Sequence, residues 1–182
     1  MEKNILLVDF GDTGNESEAI RQVLERYGYY VLLFPLGRPN DLIQIFKNDI
    51  NFFKFDTLIL SCHSKEDGKI IMPVLGENIY LKNEPRENFG AVEIRKYFKL
   101  TNKTILNLGC YTGKDKKMVE IFSEHNNYIA PVDAVFGNSA LNFVLNLFYY
   151  LKDYELETAY IKASSIDSET KLFKLYKNKH IA

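Results

Sequence analysis

The feature that most constrains this chain is an alternation. Apolar runs of four or five residues, too short for helices, take turns with longer segments whose apolar residues recur at helical spacing. Ile5-Leu6-Leu7-Val8, followed at once by Asp9 and a Gly11 turn, reads as a buried strand. Ile20, Val23, Leu24 and Tyr27 follow at helical spacing over 16–27, with Gly28 as the stop. A strand is expected at 30–34, a helix capped by Asp41 and carrying Leu42, Ile45 and Phe46, then a strand at 57–61. Phe52, Phe53 and Phe55 beside that strand are expected to pack under helices. Past residue 67 the pattern changes, and 68–72 and 79–81 read as the two short strands of a side hairpin. The alternation then resumes: helix 91–98, strand 104–108 closed by Gly109, helix 116–123, strand 128–130, helix 139–151, helix 155–164 and strand 171–176.

Successive parallel strands require crossovers, and helices supply them. The expected fold is therefore α/β, a three-layer sandwich with a mostly parallel central sheet and a small side hairpin. At 182 residues the chain has the length of one such domain, taken as residues 1–182, given roughly 150 residues per domain. In parallel sheets, sites form in the crevice beyond the carboxyl ends of the strands. That places the candidate segments at 9–15, 62–68, 110–114 and 131–138.

Composition narrows the function classes. Lys and Arg total 23 and Asp and Glu 24, a net charge of −1, which argues against nucleic-acid binding through a polybasic surface. Thirteen Phe and twelve Tyr are far too many for a disordered chain. Two cysteines cannot build a disulfide framework, and no Cys/His spacing suits zinc. The opening residues lack the pattern of a signal peptide, and no apolar run reaches the roughly 18 residues that would cross a membrane. A cytoplasmic protein with reduced thiols, no cofactor, no metal and no membrane partner is the expectation.

Two residues carry the chemistry. His63 directly follows the third strand and Cys110 the fourth. If those strands are neighbours, about 4.8 Å apart, imidazole and thiol emerge at one sheet edge. The ring can then take the thiol proton, and the thiolate can attack a carbonyl. Cys110 also precedes a helix, whose first amides are expected to favour the thiolate and to supply an oxyanion donor.

The segments around these residues resemble a known family. Ser61-Cys62-His63-Ser64-Lys65-Glu66-Asp67-Gly68-Lys69-Ile70 is similar to the His segment of caspase-like (clan CD) cysteine peptidases, in which a strand ends in the catalytic His and an acidic-Gly turn leads into a hairpin. Ile105-Leu106-Asn107-Leu108-Gly109-Cys110-Tyr111-Thr112-Gly113 resembles the Cys segment, above all the strand-Cys-x-Thr-Gly form of bacterial CHAT-type proteases. The 47 residues from His63 to Cys110 lie near the roughly 50 of caspases. Ala130-Pro131-Val132-Asp133 and the following helix extend the likeness over most of the chain.

The resemblance implies a cysteine endopeptidase acting on a protein or peptide substrate. His63 would be the base, Cys110 the nucleophile, and the backbone amides of Ser64 and Cys110 the oxyanion donors. It also implies a P1 pocket walled from the ends of strands one, four and five. Asp9 and Asp133 stand there, with Asp12 a turn residue, and acidic walls favour Arg or Lys at P1. Cys62-His63-Ser64 superficially resembles the Cys-His-Ser of metacaspases, but no His precedes residue 63 to serve Cys62, which is expected to face the sheet interior. The family's roles suggest bacterial defence or cell death, with an activating partner or small-molecule signal.

Three other readings are open to these residues. Phe10-Gly11-Asp12-Thr13-Gly14-Asn15 is similar to the phosphate loop of flavodoxins, which implies an FMN-binding protein. A catalytically inactive caspase-like interaction module has the same fold. An amidotransferase with Cys110 at a nucleophile elbow would want a late His beside a carboxylate. His125 comes too early for that role and His180 lies near the chain end.

Overall fold

A computed structural model describes residues 4–50 and 53–178. Phe52 and His180 lie outside the described residues. The elements follow in chain order: β1 (Asn4–Asp9), α1 (Glu16–Arg26), β2 (Tyr30–Pro35), α2 (Pro39–Phe46), β3 (Thr57–Ser61), α3 (Ala91–Tyr97), β4 (Thr104–Asn107), α4 (Lys116–Ser123), β5 (Asn127–Pro131), α5 (Gly137–Tyr150), α6 (Leu156–Ala163) and β6 (Phe173–Tyr176). The six strands form one sheet in the order β2-β1-β3-β4-β5-β6. All neighbouring pairs are parallel except β5 with β6. The chain steps outward from β1 to β2, then crosses back to place β3 on the other side of β1, so the strand order reverses there. The crevice between the loops after β1 and β3 is where a sheet of this kind binds ligands.

Strand alternation distributes the core. Leu6, Val8, Leu58, Leu60, Ile105, Tyr128 and Ala130 pack toward α2, α3 and α4. Ile5, Leu7, Ile59, Leu106 and Ile129 pack toward α1, α5 and α6. Both faces of the central strands are thus buried, which is why they read as continuous apolar runs rather than alternating ones. Each fully buried Leu or Ile contributes roughly 1.5–3 kcal/mol. The closing antiparallel strand is fastened by Phe173, whose ring stacks on Phe143 of α5 at 4.2 Å.

Three local expectations are corrected. Helix α2 begins at Pro39, with Arg38 in the cap position, rather than at Asp41. Proline suits the first helical position, and Asp41 works from inside the first turn, accepting the amides of Arg38 (3.1 Å) and Gly37 (3.2 Å). The hairpin strands at 68–72 and 79–81 do not form. Ile70 instead makes single antiparallel bridges to Ser64 and Phe89. Backbone groups over 79–81 are taken by side chains: the Leu81 amide donates to Glu84 (2.8 Å), and Arg38 donates to the Ile79 carbonyl (2.7 Å). With those groups occupied, no strand can pair there. The last strand starts at Phe173, because Thr170–Leu172 is a 3-10 turn. Among the described residues, no helix is long and apolar enough to cross a membrane.

Candidate active site

Register brings the two chemical residues together. Leu60 of β3 pairs with Asn107 of β4, so His63 and Cys110 each lie three residues beyond a matched pair. Both lie on the side of α1 and α5, since the cavity they line is also walled by Glu16 of α1 and by Gly137 and Ala140 of α5. Both line one cavity of about 140 Å³. All four loops expected to carry the site contribute to its wall: Asp12 and Thr13 after β1, Cys62 and His63 after β3, Cys110 after β4, and Val135 after β5. Glu16 from the start of α1 and Gly137 from the start of α5 complete it.

The imidazole is oriented by backbone. His63 Nε2 lies 2.9 Å from the Asp12 carbonyl oxygen. A carbonyl only accepts, so Nε2 carries a hydrogen, and in the neutral ring Nδ1 holds the lone pair. Gly11 makes the close approach possible. Its φ is +87°, and a Cβ there would sit 3.4 Å from the ring carbon Cδ2.

The cysteine sits on a turn clamped from several sides. Cys110 is half-buried, and its Sγ lies 3.7 Å from the Val135 carbonyl. Its own carbonyl accepts a hydrogen bond from the Ser64 hydroxyl, tying the Cys segment to the His segment. The next residue, Tyr111, has φ +62°, a left-handed conformation costing an aromatic L-residue roughly 1–2 kcal/mol. It is held there by its amide bond to the Asp133 carbonyl (3.3 Å) and by Lys114, whose ammonium lies 5.2 Å from the ring centre. The buried Asn107 carboxamide accepts from the Gly109 amide (3.1 Å) and the Cys62 thiol (3.5 Å), closing off the strand end beneath the turn. Strain kept at one residue by so many contacts is typical of a functional turn.

Two amides are free to meet a developing negative charge. The hydrogen bonds flanking the Ser64–Ile70 bridge run from Lys65 to Lys69 and from Ile71 to His63, so the Ser64 amide points away from Ile70. Among the described residues, neither that amide nor the Cys110 amide finds an acceptor. The helix expected after Cys110 forms at 116–123 as read, six residues beyond the cysteine. Helix α4 starts only at Lys116, and its first-turn amide at Lys117 is already satisfied by Asp115 (2.9 Å). The helix starts bordering the cavity are those of α1 and α5.

The remaining expected residues are placed as follows. Cys62 is buried, and burial pushes its thiol far above the ordinary range. Asp9 accepts the Thr13 hydroxyl (2.8 Å), and Asp133 is exposed and accepts the Ala134 amide (2.8 Å). Neither carboxylate belongs to the cavity wall; the acids there are Asp12 and Glu16. Glu16 accepts the hydroxyl of the buried Ser61 at 2.8 Å, and burial raises its carboxyl above the usual range. Glu16 carries no signal in the sequence, because an acid in the first turn of a helix is the ordinary partner of the helix dipole. Among the described residues, no group of three His, Cys, Asp or Glu is gathered to hold a metal ion. No family model matches the chain, and comparison with curated proteins finds no match.

Proposed function

We propose that this protein is a cysteine endopeptidase of caspase-like type, with Cys110 as nucleophile and His63 as general base. The observation that carries the reading is the one cavity lined by both a thiol and an imidazole whose Nε2 is held by the Asp12 carbonyl. The resemblance of the His and Cys segments points the same way. His63 Nδ1 takes the Cys110 proton, and the thiolate adds to the carbonyl carbon of the scissile peptide. The oxyanion forms against the Ser64 and Cys110 amides. The C–N bond then breaks, the imidazolium returns its proton to the departing amine, and a thioester remains on Cys110. Water, deprotonated by the same ring, releases the acid and restores the thiol. The Asp12 carbonyl acts as the third member by holding the ring and stabilising its cationic form.

The flavin reading fits this cavity poorly. The Thr13 hydroxyl that a phosphate would need as donor is committed to Asp9, and the Asp12 carbonyl and Glu16 carboxylate present oxygen acceptors.

The test is covalent labelling with peptides carrying a thiol-reactive ketone at the carbonyl end, read by mass spectrometry. One adduct on Cys110 is expected, lost in Cys110→Ala, slowed about a hundredfold or more in His63→Ala and kept in Cys62→Ala. Labelling unaffected by His63→Ala would remove the base from the scheme.

A further inference from the structure

We infer that the substrate presents a cationic side chain, Arg or Lys, to Glu16 in the cavity beside Cys110, which makes Glu16 the specificity-determining residue of the site. The inference rests on the peptidase reading. A nucleophile attacking a peptide carbonyl has one side chain forced close to it, the one on the carbon bonded to that carbonyl. A cavity opening beside Cys110 is where that side chain goes. At about 140 Å³ it holds one side chain, well below the roughly 300–1,000 Å³ of a site for a whole small ligand.

The wall chooses the charge. Leu108, Val135 and Ala140 offer apolar surface for an aliphatic stem. No Lys or Arg lines the cavity among the described residues. Glu16 offers a carboxylate with one oxygen already fixed. Oε1 accepts from Ser61, whose side chain is fully buried, so the group is pinned in place. Oε2 has no donor among the described residues, and it lies 3.5 Å from where a Cβ on Gly137 would stand, on the side where Gly137 leaves space. The carboxylate is therefore a preorganised acceptor short of one donor. A guanidinium or ammonium supplies that donor as a charge-assisted hydrogen bond and offsets the burial that raises the Glu16 carboxyl. An acidic side chain would meet like charge from Glu16, with Asp12 also in the wall.

The experiment compares covalent peptide probes that differ only in the residue bearing the reactive carbonyl: Arg, Lys, citrulline, Leu and Asp. Citrulline keeps the shape of Arg and removes its charge. Labelling of Cys110 in the native protein is expected to be at least about tenfold faster with Arg than with citrulline, the scale of a charge-assisted hydrogen bond. In Glu16→Gln the Arg-to-citrulline ratio should fall about tenfold, and in Glu16→Lys the preference should turn toward Asp. Thermal melts of both variants establish that they are folded. Equal labelling by Arg and citrulline, or an Arg preference that survives both substitutions, overturns the inference while leaving the peptidase reading standing. Failure of every probe to label Cys110 sinks that reading and the inference with it.

Discussion

Glu84 holds the excursion between β3 and α3 against the rest of the fold, and replacing it by Gln tests how that excursion is secured. Its side chain is fully buried and accepts four hydrogen bonds: Arg38 Nε (3.0 Å) and Nη2 (2.8 Å) in a fork, the Asn40 amide in the first turn of α2 (3.0 Å), and the Leu81 amide (2.8 Å). In Glu84→Gln an NH₂ group must face donors, and the Arg38 charge loses its partner. Breaking a buried pair costs about 3–5 kcal/mol. Arg38 keeps 27 % of its side chain in solvent, so the lower end, about 3 kcal/mol, applies. With an unfolding entropy near 2.1 cal/mol/K per residue over the 182-residue chain, Tm should fall by about 8 °C.

The pH dependence gives a second readout. Arg38 and the two amides hold the Glu84 carboxyl well down, at about 2, against an ordinary value near 4.5. A depressed carboxylate stabilises the fold above its unfolded pKa and loses that contribution as pH falls toward the folded one. The Tm gap between native protein and Glu84→Gln should therefore be widest above pH 4.5 and close between pH 4.5 and about 2. Calorimetry or circular dichroism across that range measures it. A gap of less than about 2 °C at pH 6, or one that does not narrow in acid, would refute the reasoning.

Two further outcomes follow from the site. Gly113→Ala places a Cβ 2.8 Å from the Ala130 carbonyl oxygen and 3.1 Å from that of Pro131, both backbone atoms of β5. It should cost about 1–3 kcal/mol by thermal melt and slow probe labelling, because the same turn carries Cys110. A thiol reagent should react with one cysteine in the native protein, Cys110, and with two once it is denatured. The Cys62 thiol is buried and its ionisation suppressed, so rapid native modification of Cys62 would contradict its placement.

Some of this was legible in the sequence because the physics is local. The run Ile5–Val8 and the stripe from Ile20 to Tyr27 each report their own burial by period alone, and β1 and α1 form there. His63 and Cys110 could be singled out because each stands directly after a strand, where a parallel sheet delivers side chains to one edge. The hairpin at 79–81 failed for the opposite reason. Its apolar residues look like strand, but its backbone is taken by the Glu84 carboxylate and by Arg38, the latter more than forty residues earlier. Glu16 gave no signal, since its first-turn position is what any helix start shows.

Residue order alone thus determined the strands of the central sheet and the helices that cover it, though not the 68–81 segment, and which chemical groups stand at the strand ends, because backbone period and side-chain polarity act over a few neighbours. Only the assembled sheet decided which ends meet. The β3–β4 pairing carries His63 and Cys110 to one cavity, the Asp12 carbonyl selects the ring tautomer, and packing of α1 over β3 makes an ordinary helix-start glutamate one of the two acids of the cavity. Those outcomes depend on distances between residues far apart in the chain, which no local pattern encodes.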